Sequence, residues 1–205
     1  EKLLKNINIA FIECNQEQLY FFTKGIELGT GISIIPILLD EIYKEPDTFR
    51  ERIRSIDLVV TTFFHYDEVK KFLVDQKQRV LAIALDPLME TMVKIAHLSS
   101  KDKNIGLVCI TDKFAQRVFQ SIKQAGVKFL SFKFIISHAE GKIKKFLDST
   151  DILITSPGRK KEMKKLISNQ IPLIEFIYVP DKGSINILKL AILDLKREGG
   201  TVREI

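Results

Sequence analysis

The chain has 205 residues, 45% hydrophobic and 28% charged, which suits one large or two small soluble globular domains. The net charge is +6, and the lysines are spread along predicted helix faces beside acidic residues. This distribution does not predict a nucleic-acid-binding surface. The two cysteines, Cys14 and Cys109, argue against a disulfide-built secreted domain, and no apolar run is long enough to span a membrane.

Strands and helices are predicted to alternate along the first half of the chain. The first strand covers 6–13, whose nearly continuous apolar residues are typical of a parallel sheet covered on both faces. Asn15 is a candidate N-cap for a helix that runs to about residue 28 and ends at Gly29. The later predicted elements are strands over 32–39, 57–61 and 79–85, and helices over 49–55, 66–76 (with Asp67 as cap) and 88–98.

The second half repeats this plan after a polar stretch at 99–103, the predicted linker. Asp112 is a candidate cap, and Ser137 with Glu140 has the spacing of a capping box. Strict alternation of strand and helix implies parallel sheets flanked by helices, with right-handed crossovers. The predicted elements are strands over 104–110, 128–136, 151–155 and 172–179, and helices over 112–125, 142–147, 159–168 and 183–200.

One octapeptide occurs twice. Residues 55–62 read S-I-D-L-V-V-T-T, and residues 149–156 read S-T-D-I-L-I-T-S. Other segments match at nearly the same offset of about 95 residues, which is too long for a solenoid unit and is the size of a small domain. The pattern predicts an internal duplication into two similar lobes, 1–98 and 104–205, with a final helix that could cross back. The alternative is that any two strand–helix units look alike.

The usual catalytic signatures are absent from the sequence, which has no G-x-S-x-G, H-E-x-x-H or Walker loop. Gly29-Thr30-Gly31 lies between a helix and a strand, whereas the dinucleotide fingerprint needs the reverse order. The three histidines have no ligand spacing with the cysteines. We therefore predict a protein that is not an enzyme and has no cofactor and no metal.

Polar residues follow the predicted strands at their carboxyl ends, where open α/β sheets bind ligands. Helix N-termini and Arg159 favour a small, polar, anionic ligand held between the lobes. The alternatives are that the hydroxyl residues only cap helices, that His65 is a surface or cap residue, and that Phe63 and Phe64 pack in the core. The candidate ligand-binding residues are Glu13, Cys14, Asn15, Thr61, Thr62, His65 and Asp86 in the first lobe, and Thr111, Asp112, Ser156, Gly158 and Arg159 in the second, with Ser137, His138 and Asp181 nearby.

The first-strand sequence N-I-A-F-I-E-C-N, the repeated S-x-D-(I/L)-(V/L)-(V/I)-T-(T/S) and the doubled lobe resemble periplasmic-binding-protein-type ligand domains. The opening is similar to the effector domains of bacterial GntR-type transcription regulators, and the resemblance covers most of the chain. It implies a cytoplasmic, homodimeric, effector-sensing domain that meets DNA only through a domain outside this chain and does not contact membranes.

Two other functions stay open at this point. One is an extracytoplasmic solute-binding component of an ABC transporter, which shares the two-lobe plan. The other is an enzyme that uses Cys14 and Cys109 as facing thiols. Since the chain opens with Glu1, we expect it to be a piece of a longer protein or a mature form.

Overall fold

The computed structural model describes residues 6–25, 31–74, 77–167 and 170–200, in which most strands are followed by a helix. None of the helices in these ranges has both the length and the apolar character needed to cross a bilayer. In chain order the elements are β1 (Ile7–Glu13), α1 (Gln16–Gly25), β2 (Ile32–Leu38), α2 (Leu39–Lys44), α3 (Pro46–Ile53), β3 (Leu58–Thr62), α4 (Tyr66–Phe72), β4 (Arg79–Ile83), β5 (Leu85–Pro87), α5 (Met89–Leu98), β6 (Asn104–Val108), α6 (Asp112–Gln124), β7 (Ser131–Ile135), α7 (Glu140–Leu147), β8 (Ile152–Thr155), α8 (Lys160–Leu166), β9 (Leu173–Glu175), β10 (Tyr178–Pro180) and α9 (Lys182–Gly200).

The chain divides into two compact units. Unit 1 contains Glu1–Asp86 and Val179–Ile205, and unit 2 contains Pro87–Tyr178. The predicted linker at 99–103 therefore falls inside unit 2, and α5 belongs to unit 2 rather than to the first lobe. The final helix, α9, belongs to unit 1.

The sheet of unit 1 is parallel and has the strand order β2-β1-β3-β4. Alternate residues of a strand face opposite sides of its sheet, and both faces of β1 are buried. Phe11 packs in one buried cluster with Leu188 of α9, and Ile12 packs in another with Phe49 of α3. Because β1 and β3 are adjacent and parallel, their carboxyl ends lie at the same edge of the sheet.

The sheet of unit 2 is also parallel and has the equivalent order, β7-β6-β8-β9. Helices α7 and α8 cover part of it through a buried cluster that includes Val108, Ile143 and Met163. The α/β class with parallel sheets flanked by helices is thus confirmed. The short strands β5 and β10 pair in a separate two-stranded sheet.

The repeated aspartate of the octapeptide has the same structural role in both units. In unit 1, Oδ2 of Asp57 accepts a hydrogen bond from the backbone N of Asn8 at 2.9 Å, and the N of Asp57 donates to the carbonyl of Asn8 at 2.9 Å. In unit 2, Oδ2 of Asp151 accepts from the N of Asn104 at 2.7 Å, and its N donates to the carbonyl of Asn104 at 3.0 Å. Each pair joins the amino end of a first strand to the segment that enters the third.

Three element predictions are wrong. The strand predicted over 79–85 is divided between β4 and β5, with a break at Ala84. Residues 39–53 form the two helices α2 and α3, whereas the sequence predicted one helix that begins later, over 49–55. The predicted last strand is two short strands, β9 and β10, interrupted at Phe176 and Ile177. The predicted helix end at Gly29 lies outside the described residues.

Three predicted helix caps are also wrong, because a neighbouring residue takes the N-cap position. Oγ1 of Thr111 accepts a bond from the N of Phe114 at 3.2 Å and caps α6, so Asp112 is the first helical residue. For α4 and α7, the residues at the N-cap are His65 and Ala139, which replace Asp67 and Ser137.

Candidate functional site

Three side chains with different chemistry meet where β1 and β3 end in unit 1. Nε2 of His65 lies 3.1 Å from Oε1 of Glu13, and Sγ of Cys14 lies 3.2 Å from the same oxygen. Glu13 is the last residue of β1 and Cys14 follows it, whereas His65 ends the turn between β3 and α4. We call Glu13, Cys14, His65 and Glu68 the first-edge cluster.

His65 lies between two carboxylates. Its Nδ1 is 3.3 Å from Oε2 of Glu68. The other carboxylate oxygen of Glu68, Oε1, accepts a hydrogen bond from the hydroxyl of Tyr43. A neutral imidazole has one N–H, so only the charged ring donates to both carboxylates at once. Burial alone would lower the pKa of His65, but hydrogen bonds to Cys14 and Glu13 and the charge of Glu13 outweigh it and raise the pKa to about 10.

Two polar atoms at this edge are buried without a hydrogen-bond partner in the part of the chain that the structure describes. They are Oε2 of Glu13 and Oγ1 of Thr62. Burial raises the pKa of Glu13, but the hydrogen bond and charge of His65 outweigh it and hold that pKa below its usual value. An unsatisfied buried polar group costs about 1–3 kcal/mol, and a bound ion or ligand that supplies the missing partner removes that cost.

Two of the other first-lobe candidates have local structural roles, and a third is exposed. Oδ1 of Asn15 accepts from the N of Gln18 at 2.9 Å and caps α1, as predicted. Oγ1 of Thr61 donates to the carbonyl of Ile12 at 2.9 Å. Asp86 is exposed on β5. These three residues do not join the first-edge cluster.

Phe63 and Phe64 do not pack in the core, so that alternative is wrong. Their relative exposures are 64% and 56%, in the turn that leads from β3 to His65. Aromatic rings at the surface beside a polar cluster are able to contact a bound molecule.

In unit 2, Arg159 occupies the position that His65 occupies in unit 1, directly before a helix. Its guanidinium donates to both carboxylate oxygens of Glu162, at 2.9 and 2.6 Å, and to the carbonyls of Cys109 at 3.2 Å and Ser137 at 2.7 Å. The residue is only 4% exposed. We call this arrangement the Arg159 brace, since it joins α8 to the segments that follow β6 and β7.

The remaining second-lobe candidates are dispersed. Oγ of Ser156 is buried and has no hydrogen-bond partner within the described ranges, like that of Thr62. The N of Gly158, at φ 85, donates to Oε1 of Glu175 at 3.2 Å. Asp112 and His138 are exposed, and Asp181 belongs to unit 1, where its Oδ1 accepts from the N of Ser184.

The two cysteines have different surroundings. Both are free, with Cys14 exposed and Cys109 buried. Burial raises the pKa of Cys109 to about 11, which leaves it protonated at neutral pH. A mechanism that needs two reactive thiolates is therefore disfavoured.

Glu68 and Tyr43 belong to this site but were absent from the predicted set. Glu68 was open to prediction, because it follows His65 by three residues as Glu162 follows Arg159. On a helix that spacing brings two side chains together. Nothing in the sequence points to Tyr43, which reaches Glu68 from α2.

Residues 106–199 match the model of a family described as the YmtS Rossmann-like domain. A protein of Clostridium tetanomorphum described as "Uncharacterized protein in mutS 5'region" is 27% identical over 95 residues, which are 46% of this chain and 95% of that protein. The family match supports a Rossmann-like α/β fold for the matched segment.

Solved structures are similar at lower levels. An uncharacterized protein from Actinobacillus succinogenes has 13% identity and a TM-score of 0.44, over 98% of this chain and 94% of that one. Aspartate transcarbamoylase from Trypanosoma cruzi in complex with N-(phosphonacetyl)-L-aspartic acid has 14% identity and a TM-score of 0.34, over 93% and 83%. The resemblance to GntR-type effector domains stays a prediction.

Proposed function

We propose that this chain is a non-catalytic, small-molecule-sensing domain of a bacterial transcription regulator, and that its effector binds at the first-edge cluster. The observation that carries this proposal is the pair of buried, unpartnered atoms within the described part of unit 1, Oε2 of Glu13 and Oγ1 of Thr62. Both lie at the carboxyl ends of parallel strands, where open α/β sheets bind ligands.

The chemistry of the cluster favours an effector that donates hydrogen bonds. A carboxylate oxygen only accepts hydrogen bonds, so an effector that satisfies Oε2 of Glu13 brings a donor such as a hydroxyl or an ammonium. The prediction of an anionic effector rested on helix N-termini and on Arg159, whose guanidinium already makes four hydrogen bonds within unit 2. An effector that also carries an anionic group, as an amino acid does, stays a prediction.

Regulation would follow from differential binding. An effector that binds one conformation more tightly shifts the population toward it, and the shift changes the affinity of an attached DNA-binding domain. In this proposal that domain lies outside the chain, and the protein is a cytoplasmic homodimer. These parts rest on the resemblance of the sequence to GntR-type effector domains.

The proposal includes an internal duplication. It is supported by the equivalent strand orders of the two sheets and by the matched hydrogen bonds of Asp57 and Asp151. After duplication, one copy would keep a binding edge while the other became a structural support.

A thermal-shift screen of amines, amino acids and polyols tests the sensing function, with a chelator present throughout. At 100 times its Kd, an effector stabilises the folded protein by about 2.7 kcal/mol. We expect a compound that raises the Tm of the wild type, raises it less in Glu13→Gln and Thr62→Val, and is recovered unchanged. The matched control is Glu162→Gln in unit 2. Equal stabilisation of all variants would place the effector elsewhere, and conversion of the compound would indicate an enzyme.

A further inference from the structure

The first-edge cluster holds one oxygen, one sulfur and one nitrogen ligand atom within a small volume. A carboxylate oxygen of Glu13, Sγ of Cys14 and a ring nitrogen of His65 lie within 4.8 Å of one another. Oε1 of Glu13 is 3.2 Å from the sulfur and 3.1 Å from the nitrogen. Ligands of a tetrahedral zinc ion, with bonds of about 2.0–2.3 Å, are separated by about 3.3–3.6 Å. Small side-chain shifts would therefore place the three atoms around one ion.

The histidine ring is oriented as in known metal sites. A metal-binding histidine almost always donates its other ring N–H to a carboxylate or carbonyl, which fixes the ring. Here Nδ1 of His65 lies 3.3 Å from Oε2 of Glu68, while Nε2 faces Glu13. Tyr43 in turn donates to Glu68. This arrangement supports a ligand role for Nε2 of His65.

A second observation points to a bound cation. Glu13 is only 4% exposed, and its Oε2 has no hydrogen-bond partner within the described ranges. A buried carboxylate with an oxygen that has no donor is costly, and the charge of a cation bound to that carboxylate would offset the cost.

We propose that Glu13, Cys14 and His65 bind a divalent transition-metal ion of the zinc class, with Glu68 as a positioning residue. The mixture of sulfur, nitrogen and oxygen favours zinc over magnesium or calcium, which take oxygen ligands. On binding, the Sγ–H proton of Cys14 and the Nε2–H proton of His65 pass to solvent. Three protein ligands leave a fourth position for water or a small molecule.

This inference goes beyond the proposed function, although it uses the same cluster. The sequence predicted no metal, because Glu13 and Cys14 are far from His65 along the chain and meet only through the pairing of β1 with β3. Metal binding is measured without any organic compound, and the effector screen contains a chelator. Failure of one proposal therefore leaves the other standing.

Cobalt titration of the reduced, metal-free 205-residue chain tests the site. We expect one ion per chain, with a thiolate-to-cobalt charge-transfer band that zinc abolishes. Cys14→Ser should lose this band, and the matched control Cys109→Ser should keep it. Glu68→Gln should keep the band but bind about 10–100-fold more weakly, as is usual when the partner of a ligating histidine is removed.

The same titration yields the contradicting results. Absence of the band in the wild type at excess cobalt would overturn the proposal, as would a band that survives in Cys14→Ser or disappears in Cys109→Ser. Circular dichroism of each variant checks the fold, which Cys14→Ser should preserve because that thiol is exposed.

Discussion

The two sheets are alike at their amino edges and different at their carboxyl edges. Asp57 and Asp151 make the same pair of backbone hydrogen bonds at the amino ends of their sheets. At the carboxyl edges, His65 and Arg159 both precede a helix and both pair with a glutamate three residues later. The shared features support the sheets, and the differences are where we expect function.

His65 and Arg159 differ in whether the groups beside them still lack a hydrogen-bond partner. Arg159 joins Glu162 to two backbone carbonyls, and a guanidinium has no lone pair with which to bind a metal. His65 joins two carboxylates, one of which keeps an unpartnered oxygen within the described residues. We therefore propose that equivalent positions serve packing in unit 2 and binding in unit 1.

Removal of the Arg159 brace is the change with the largest expected effect. Arg159→Ala leaves two carbonyls without their donor and Glu162 without its cation, so we expect the free energy of unfolding to fall by about 3 kcal/mol. Urea denaturation measures this loss. Lys161→Ala, which removes a neighbouring exposed cation, is the control. A loss no larger than that of the control would show that the brace does not support unit 2.

Gly106 and Ala10 occupy matching places in the first strands of the two units but differ in the space around them. A Cβ at Gly106 would lie 2.6 Å from Oγ1 of Thr150 and 2.9 Å from Cε1 of Phe146. We expect Gly106→Ala to lower the free energy of unfolding by about 2 kcal/mol through overpacking. Adding Thr150→Ala should recover part of that loss in a double-mutant cycle. Purely additive effects would contradict this explanation.

The unpartnered hydroxyls should behave alike in the two units. Thr62→Val and Ser156→Ala each remove a buried oxygen that has no hydrogen-bond partner within the described residues. We expect each change to be neutral or to raise the free energy of unfolding of the ligand-free protein by up to about 1 kcal/mol. Chemical denaturation checks both variants. A clear loss of stability in either would reveal a partner for that hydroxyl.

The smallest expected effect is the pH dependence that Glu162 contributes. Its hydrogen bond with Arg159 outweighs burial and holds the pKa of Glu162 below the usual value of 4.5. A lowered pKa stabilises the folded state above pH 4.5, and this contribution is lost as the pH falls through the lower, folded-state value. Denaturation across this range should therefore show a shallower acid decline in Glu162→Gln. Identical pH profiles would contradict the lowered pKa.

The parallel α/β plan was open to prediction because its signals are local. Buried parallel strands appear as continuous apolar runs, and Asn15 is a cap that can be read from its spacing to Gln18. The break between β9 and β10 has no such signal, since Phe176 and Ile177 are as apolar as the strands that they separate.

The candidate site was predicted only in part, because its contacts are not local. The sequence identified Glu13, Cys14 and His65 as strand-end residues, and the pairing of β1 with β3 brings them together. The sequence also predicted Arg159 as a ligand contact. The bonds of Arg159 to the carbonyls of Cys109 and Ser137 depend on tertiary packing, so the sequence does not reveal them.

The most direct test of the contrast between the two edges is a calorimetric zinc titration of two matched variants, Glu13→Gln and Glu162→Gln. The first replaces the carboxylate of Glu13, which pairs with His65, and the second replaces the carboxylate of Glu162, which pairs with Arg159. We predict that Glu162→Gln binds one zinc ion as the wild type does, and that Glu13→Gln binds at least about 10-fold more weakly. Equal zinc affinity in the two variants would contradict the assignment of binding to the first edge and of support to the second.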